Sequence, residues 1–461
     1  MPAIESLSLI ELAAALRSGS LPLEEYLSHL EENFRAWEPQ VLAFVPEEGR
    51  FERLRRAAAE LEQRFPEPLS RPSLYGVPIG VKDIFHVDGF VTRAGSQLPP
   101  KELQGPEADS VTTLRRAGAL VFGKTVTTEF AYFGPGSTRN PHNDSHTPGG
   151  SSSGSAAGVG AGFCPLAFGT QTIGSITRPA AFCGVVGYKP SYERISRVGV
   201  IPLSPSLDHI GIFVSQMAGV ALVTGLLCRD WNAQVSPSTT LTQPPLSPSA
   251  VRARTWRLDG GTNDAKPVLG VPEGPYLQRA STAGLAQFEQ DTARLAEAGY
   301  EIRHVEVFTD FDEIYHRHNL TVAAEAARVH TDWYKQYHEL YHPKTAELIE
   351  RGKGIDDDTL SKALAGRGEL STALSAVMDA HGVDLWISPS APGTAPAGLD
   401  STGDPVMNLP WTHCGHPTLG IPSGRDEKGL PYGLQLAARS YKDEQLIVWG
   451  TQIETALVSA A

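Results

Sequence analysis

Basic charge, paired cysteines and long apolar runs are all scarce in this chain of 461 residues. Its 39 Lys and Arg are outnumbered by 52 Asp and Glu, for a net charge of −13. Phosphate backbones are held mainly by clustered Lys and Arg, so no nucleic-acid partner is expected. The four cysteines, Cys164, Cys183, Cys228 and Cys414, are widely separated and form no CxxC pair. That removes a disulfide framework and points to a reducing compartment. No uninterrupted apolar stretch reaches membrane-spanning length, and the acidic opening MPAIESLSLIEL lacks the basic region of a secretory leader. A cytoplasmic protein with no membrane partner is expected. With 41% hydrophobic and 20% charged residues, there is ample material for a core, which excludes global disorder.

The length alone would suit two or three domains or one large α/β sheet. Residues 8–37 read as two amphipathic helices, with Leu9, Leu12, Ala13 and Leu16 before a break at Gly19, then Leu23, Tyr26, Leu27 and Leu30. GVPIGVKDI, between Gly76 and Ile84, reads as a buried strand carrying a single cation, Lys82. A charge placed there must be paired, neutral or functional. A helix from Ser110 to Ala117 leads into AGALVFGKT, a second buried strand, and a polar loop with Asn140, Pro141 and Asn143 follows. Helix-like and strand-like segments then alternate to about Asp230, the pattern of an α/β fold with a parallel or mixed sheet. Residues 232–267, with the run VSPSTTLTQPPLSPS, read as a Pro/Ser-rich surface loop or insertion. A helical region is expected from about Ser281 to Ala380. Strands near Leu385–Pro389 and Gly433–Ala438 are expected to rejoin the sheet, so that residues 1–461 form one domain.

Three glycine-flanked segments stand out: Lys82 in GVPIGVKDI, Ser151 in PGGSSSGSAAG and Ser175 in GTQTIGSITRP. A serine that attacks an amide needs a base, yet no His adjoins either glycine-rich run; a neutral lysine can take that role. In this order and context the segments closely resemble the amidase signature family, whose enzymes use a Ser, cis-Ser, Lys triad. LRRAGALVFGKTVTTEFA, AAFCGVVGYKPS, DPVMNLPWT and GLPYGLQL extend the likeness over nearly the whole chain. The resemblance implies a central mixed β-sheet between α-helices, with Ser175 as nucleophile, Ser151 in a cis peptide as proton relay and Lys82 as base. It further implies an oxyanion hole from the N–H groups of Thr172, Ile173, Gly174 and Ser175, supported by Ser152, Ser153 and Thr170. The implied activity is hydrolysis of small amides, and of aryl amides and carbamates, by a monomer or homodimer without metal or cofactor. Two alternatives carry different chemistry: a glutamine amidotransferase component of a tRNA-dependent amidation complex, and a catalytically silent binding protein.

The family run GTDTGGSIR stands here as GTQTIGSITR. Gln171 replaces an acid, Ile173 replaces a glycine and Arg178 falls one place later. Ile173 keeps its N–H, but any requirement for positive φ there would strain it. Gln171 is expected to rewire hydrogen bonding around Ser151 or Arg178. Resemblance also places Phe130, Tyr132 and Phe133, the region 315–325, Asn408 and Trp411 around an acyl or leaving-group pocket, where aromatic rings suit apolar substrates.

Three other motifs compete. Gly118 to Thr125 fits the phosphate-loop pattern GxxxxGKT, but Ala119 to Phe122 are themselves strand residues where a loop is required. His338, Glu339 and His342 spell HExxH, yet Pro343 closes the segment at once and no third ligand stands at a suitable distance. GSSSG around Ser152 satisfies the nucleophile elbow GxSxG without the strand that must precede it. The pairs His316 and His318, and His142 and His146, read as surface or loop residues.

Overall fold

The computed structural model describes residues 7–233, 235 and 265–459. Its strands are β1 Pro78–Lys82, β2 Leu120–Thr125, β3 Leu166–Gln171, β4 Val186–Lys189, β5 His209–Val214, β6 Leu269–Glu273, β7 Ile302–Glu306, β8 Leu385–Pro389, β9 Thr418–Arg425 and β10 Pro431–Ala437. They form one ten-stranded sheet in the order β2-β1-β3-β5-β4-β9-β10-β8-β6-β7. Strand β1 runs parallel to β2 and β3, and β6 runs parallel to β7 and β8. The pairs between them are antiparallel, which makes the sheet mixed as expected.

The helices are α1 Leu9–Ser18, α2 Leu23–Val41, α3 Arg50–Arg64, α4 Asp109–Arg116, α5 Ser153–Gly160, α6 Thr177–Cys183, α7 Met217–Leu227, α8 Thr282–Glu297, α9 Phe311–Val329, α10 Thr331–Tyr337, α11 Pro343–Lys353, α12 Asp357–His381, α13 Leu409–His413 and α14 Asp443–Ser459. The first two match their apolar stripes. Ser8 and Glu11 close a capping box at the start of α1, and Gly19 ends it at φ +77°. Helix α6 lies on one face of the sheet and α14 on the other. In β9, a Cβ on Gly420 would stand 3.1 Å from the Thr177 carbonyl oxygen, whereas the neighbouring Leu419 reaches Gly450 of α14. Gly187 and Gly433 likewise face α6, each 2.7 Å from an alanine Cβ once a Cβ is built on it. Three strands thus lack side chains where α6 rests, and the loop that leads into α6 is held low against the sheet.

The helical region expected from Ser281 to Ala380 is interrupted by β7. Its sequence IRHVE has only Val305 buried, because β7 is the edge strand and its charges face solvent. The Pro/Ser-rich stretch at 232–267 falls almost entirely outside the described residues.

Candidate active site

Lys82 ends β1, and Thr170 lies near the end of the parallel neighbour β3, so both side chains arrive at the same carboxyl edge of the sheet. Lys82 is wholly buried, with Nζ 2.8 Å from Ser151 Oγ and 2.7 Å from Thr170 Oγ1. Asp83, the next residue, is engaged by Lys124 at 2.7 Å and so does not pair with Lys82. Burial drives the Lys82 pKa well below its ordinary value, opposed by the charge of Asp208. A neutral amine between two hydroxyls can accept a proton from one of them.

The Gly150–Ser151 peptide is cis. Arg178 donates to the Gly150 carbonyl, to Thr402 Oγ1 and to the Gly403 carbonyl. Ser153 Oγ donates to Gly149 O at 2.9 Å, and Ser152 Oγ accepts from Thr170 N and donates to Thr170 O, each at 3.2 Å. The serine-rich turn is thus fastened to β3 at the residue that also holds Lys82. This explains why Ser152, fully buried, cannot serve as a nucleophile elbow.

Ser175 follows β3 by a short loop and directly precedes the turn into α6. Thr172 Oγ1 donates to Asp208 Oδ1 at 2.5 Å, while Asp208 Oδ2 accepts from Leu203 N and Ser204 N. Burial raises the Asp208 carboxyl to about 6, and these hydrogen bonds act against the rise. A Cβ on Gly174 would lie 2.3 Å from Asn408 Oδ1, so glycine is required there by close approach. The N–H groups of Ile173, Gly174 and Ser175 have no acceptor among the described residues. They are available as oxyanion donors beside the serine.

The two departures from the family pattern are accommodated. Ile173 lies outside the positive-φ set, and its side chain packs in an apolar cluster with Leu203 and Val406, so no strain follows. Gln171 does not touch Ser151 or Arg178, contrary to expectation. Its Oε1 accepts from Ile176 N (2.8 Å), Thr177 N (3.0 Å) and Thr177 Oγ1 (3.3 Å), and its Nε2 donates to Thr412 Oγ1 (2.9 Å). Thr412 in turn donates to Ile173 O at 2.6 Å. A carboxylate could make the first three contacts but not the fourth.

A narrow cleft with room for about 10 Å³ lies over Ser175, lined among others by Tyr132, Phe133, Ser151, Arg178 and Pro405. Two of the four expected pocket aromatics are elsewhere. Phe130 is buried against His330, Trp333 and Tyr341, and Trp411 packs against Tyr276, Phe308 and Trp386 with its indole N–H donating to Tyr276 Oη. Both rings are core, the commonest fate of a large aromatic. In the 315–325 region, Glu325 accepts from the Ser204 and Ser206 hydroxyls, and Asn408 donates to Ser390 O and Gln435 Oε1. His318, expected at the surface, is fully buried with its ring 5.5 Å from that of His413. His146 is buried as well.

The competing motifs do not assemble. Gly118 to Thr125 is largely β2, with Lys124 paired to Asp83 instead of facing a loop. His338 and Glu339 sit in a short 3-10 turn, His342 caps α11, and no group of three His, Cys, Asp or Glu able to hold a metal occurs among the described residues. Asp208 and Thr412 carry no signal in the sequence, since PSLDHI reads as an ordinary turn and NLPWTH as a helix start.

Comparison with known proteins gives the same picture as the geometry. A profile of the Amidase family matches residues 35–447. The A subunit of the glutamyl-tRNA(Gln) amidotransferase of Synechococcus sp. (strain RCC307) is 31% identical over 94% of this chain and 94% of its own. Its counterpart of the same name from Agathobacter rectalis is 28% identical, covering 96% of this chain and 92% of its own. Among solved structures, an amidase superposes with a TM-score of 0.82 at 30% identity, covering 98% of this chain and 100% of that one. The peptide amidase PAM, in complex with chymostatin, gives 0.79 at 25% identity, covering 98% and 97%. With a triad-like cluster at the carboxyl edge of a mixed sheet and a family match over most of its length, the chain belongs to the amidase family.

Proposed function

We propose that the protein hydrolyses C–N bonds of small amides, including aryl amides and carbamates, through an acyl-enzyme on Ser175. The observation that carries this reading is the buried Lys82 amine held between the hydroxyls of Ser151 and Thr170. Neutral Lys82 takes the Ser151 proton while Ser151 takes that of Ser175, and Ser175 Oγ attacks the carbonyl carbon. The oxyanion is met by main-chain N–H groups of residues 172–175. Ser151 then returns a proton to the departing nitrogen, the C–N bond breaks, and water releases the acyl group by the same relay. No metal or cofactor enters the scheme. Ser152 and Ser153 hold the relay serine in place, and Arg178 braces the carbonyl before it.

A second reading is favoured by the curated relatives, which are named as components of an amidotransferase. The two separate in one experiment. Purified chain is assayed on p-nitroanilides, primary amides, aryl carbamates and p-nitrophenyl esters, with Ser175→Ala and a chelator as controls. Turnover lost in Ser175→Ala and untouched by chelator supports the hydrolase. Inactivity on the whole panel, despite sulfonyl fluoride labelling of Ser175, favours a component that needs its complex; absence of labelling in folded protein favours a silent binding protein.

A further inference from the structure

The cleft over Ser175 is not the largest hollow beside the triad. A second cavity, of about 420 Å³, opens between the end of β1, the start of β5 and the segment 193–205. Its inner end is formed by Thr170, the partner of Lys82, and by Asp208, which holds Thr172. Ala131 and Leu203 line both hollows, so the two are neighbours across those side chains. The walls are apolar, with Ile84, Ile195, Val200, Ile201 and Ile210 among them. Apart from the Asp208 carboxyl at the inner end, charge lies at the rim, where Arg197 is paired with Glu193 at 3.2 Å and Arg229 is exposed. Val198 stands at the same rim with 55% of its surface exposed, an apolar threshold to an apolar chamber. The volume lies within the range, roughly 300–1,000 Å³, of sites that take small organic molecules.

We propose that this cavity receives an apolar arm of the substrate, an alkyl or aryl substituent that reaches past Ala131 and Leu203 from the carbonyl at Ser175. The proposal rests on the hydrolase reading above and assigns it a substrate class: amides with one extended apolar substituent. Ala131 and Leu203 form the wall that the two hollows share, and Ala131 is its smallest side chain, whereas Tyr132 and Phe133 line the Ser175 cleft alone. Because the cavity wall includes Thr170, an arm seated there also excludes water from the partner of Lys82 and favours the neutral amine.

Two homologous series test it: unbranched primary amides of increasing acyl length, and N-alkyl acetamides of increasing alkyl length. In one series kcat/KM is expected to climb about fourfold per added methylene over several steps. Ile201→Trp, which fills the cavity, should flatten that climb and leave the shortest amide within about twofold of wild type. Val198→Asp, at the exposed threshold, should do the same without disturbing the core. A flat response to length in both series, or a climb that survives both substitutions, overturns the proposal. If even the shortest amides are not turned over and Ser175 is not labelled by a sulfonyl fluoride, the hydrolase reading fails and the proposal fails with it.

Discussion

Gln171→Glu restores the acid that the family pattern carries at this position, and the structure says it should impair the enzyme. The wild-type amide accepts three hydrogen bonds on Oε1 and donates one from Nε2 to Thr412, leaving the Thr412 hydrogen free to bond Ile173 O. A carboxylate keeps the three acceptor contacts. It cannot donate, so Thr412 must turn its hydrogen toward the new oxygen and leave the Ile173 carbonyl without a partner. A buried group deprived in this way costs about 1–3 kcal/mol. In the proposed mechanism residue 173 carries an oxyanion N–H, so a shift there is felt in the transition state, and the same energy corresponds to about a 5- to 150-fold slower acylation. Gln171→Met leaves Thr412 on Ile173 O but strands two main-chain donors, the Ile176 and Thr177 N–H groups, and should be worse. Single-turnover release of p-nitroaniline gives the acylation rate directly. Protonation lets the introduced carboxyl donate again, so the ratio of Gln171→Glu to wild type should rise as pH falls. Wild-type acylation in Gln171→Glu, or Gln171→Met faster than Gln171→Glu, would refute the account of this loop.

As the proposed base, Lys82 must be neutral to act, so activity should rise with pH through its lowered pKa and be lost as pH falls through it; Lys82→Met should cost about 10²- to 10⁴-fold in kcat. Asp208 is the charge that favours the ammonium form, so Asp208→Asn should move that acidic limb to lower pH, and an upward shift in the kcat/KM profile would contradict the assignment. Lys124→Met strands the buried Asp83 carboxylate and should destabilise the fold by about 3–5 kcal/mol in urea titration, whereas the double variant Lys124→Met, Asp83→Leu should recover most of it. With carbamates, nitrogen donation makes the carbamoyl-enzyme slow to hydrolyse, and a pre-steady-state burst matching the enzyme concentration is expected; a linear time course counts against slow deacylation.

Lys82 is legible because a single cation in an apolar run is costly without a purpose, whereas Ser151 and Ser175 are singled out by the likeness of their glycine-rich segments to the amidase signature. The alternation of segments gives the α/β class with a parallel or mixed sheet, and the resemblance selects the mixed one. The framework behind the oxyanion loop is not legible in this way. Asp208 acts through two main-chain N–H groups and one threonine, and Thr412 meets Gln171 from 241 positions away, so neither leaves a local pattern. Phe130 and Trp411 suit a pocket by their chemistry, yet an aromatic ring satisfies a core equally well. Strand β7 is hidden by its charges, which an edge strand tolerates, and His318 by the arginine beside it, which suggests a helix face turned to water.

The long-range bond from Gln171 to Thr412 also bears on how the chain acquires activity. Lys82, from the first fifth of the sequence, closes on Ser151 and Thr170, whereas Thr412 and Asn408, from its last part, close on Gln171 and Gly174 of the loop that follows. During synthesis the serine and its lysine can emerge and even pair while the C-terminal strands are still missing, but the oxyanion loop then lacks its far support. Contacts of such sequence separation form late. Hydrolysis should therefore appear only after β9 and β10 have joined the sheet, so that a nascent chain does not carry a working nucleophile among its unfolded neighbours.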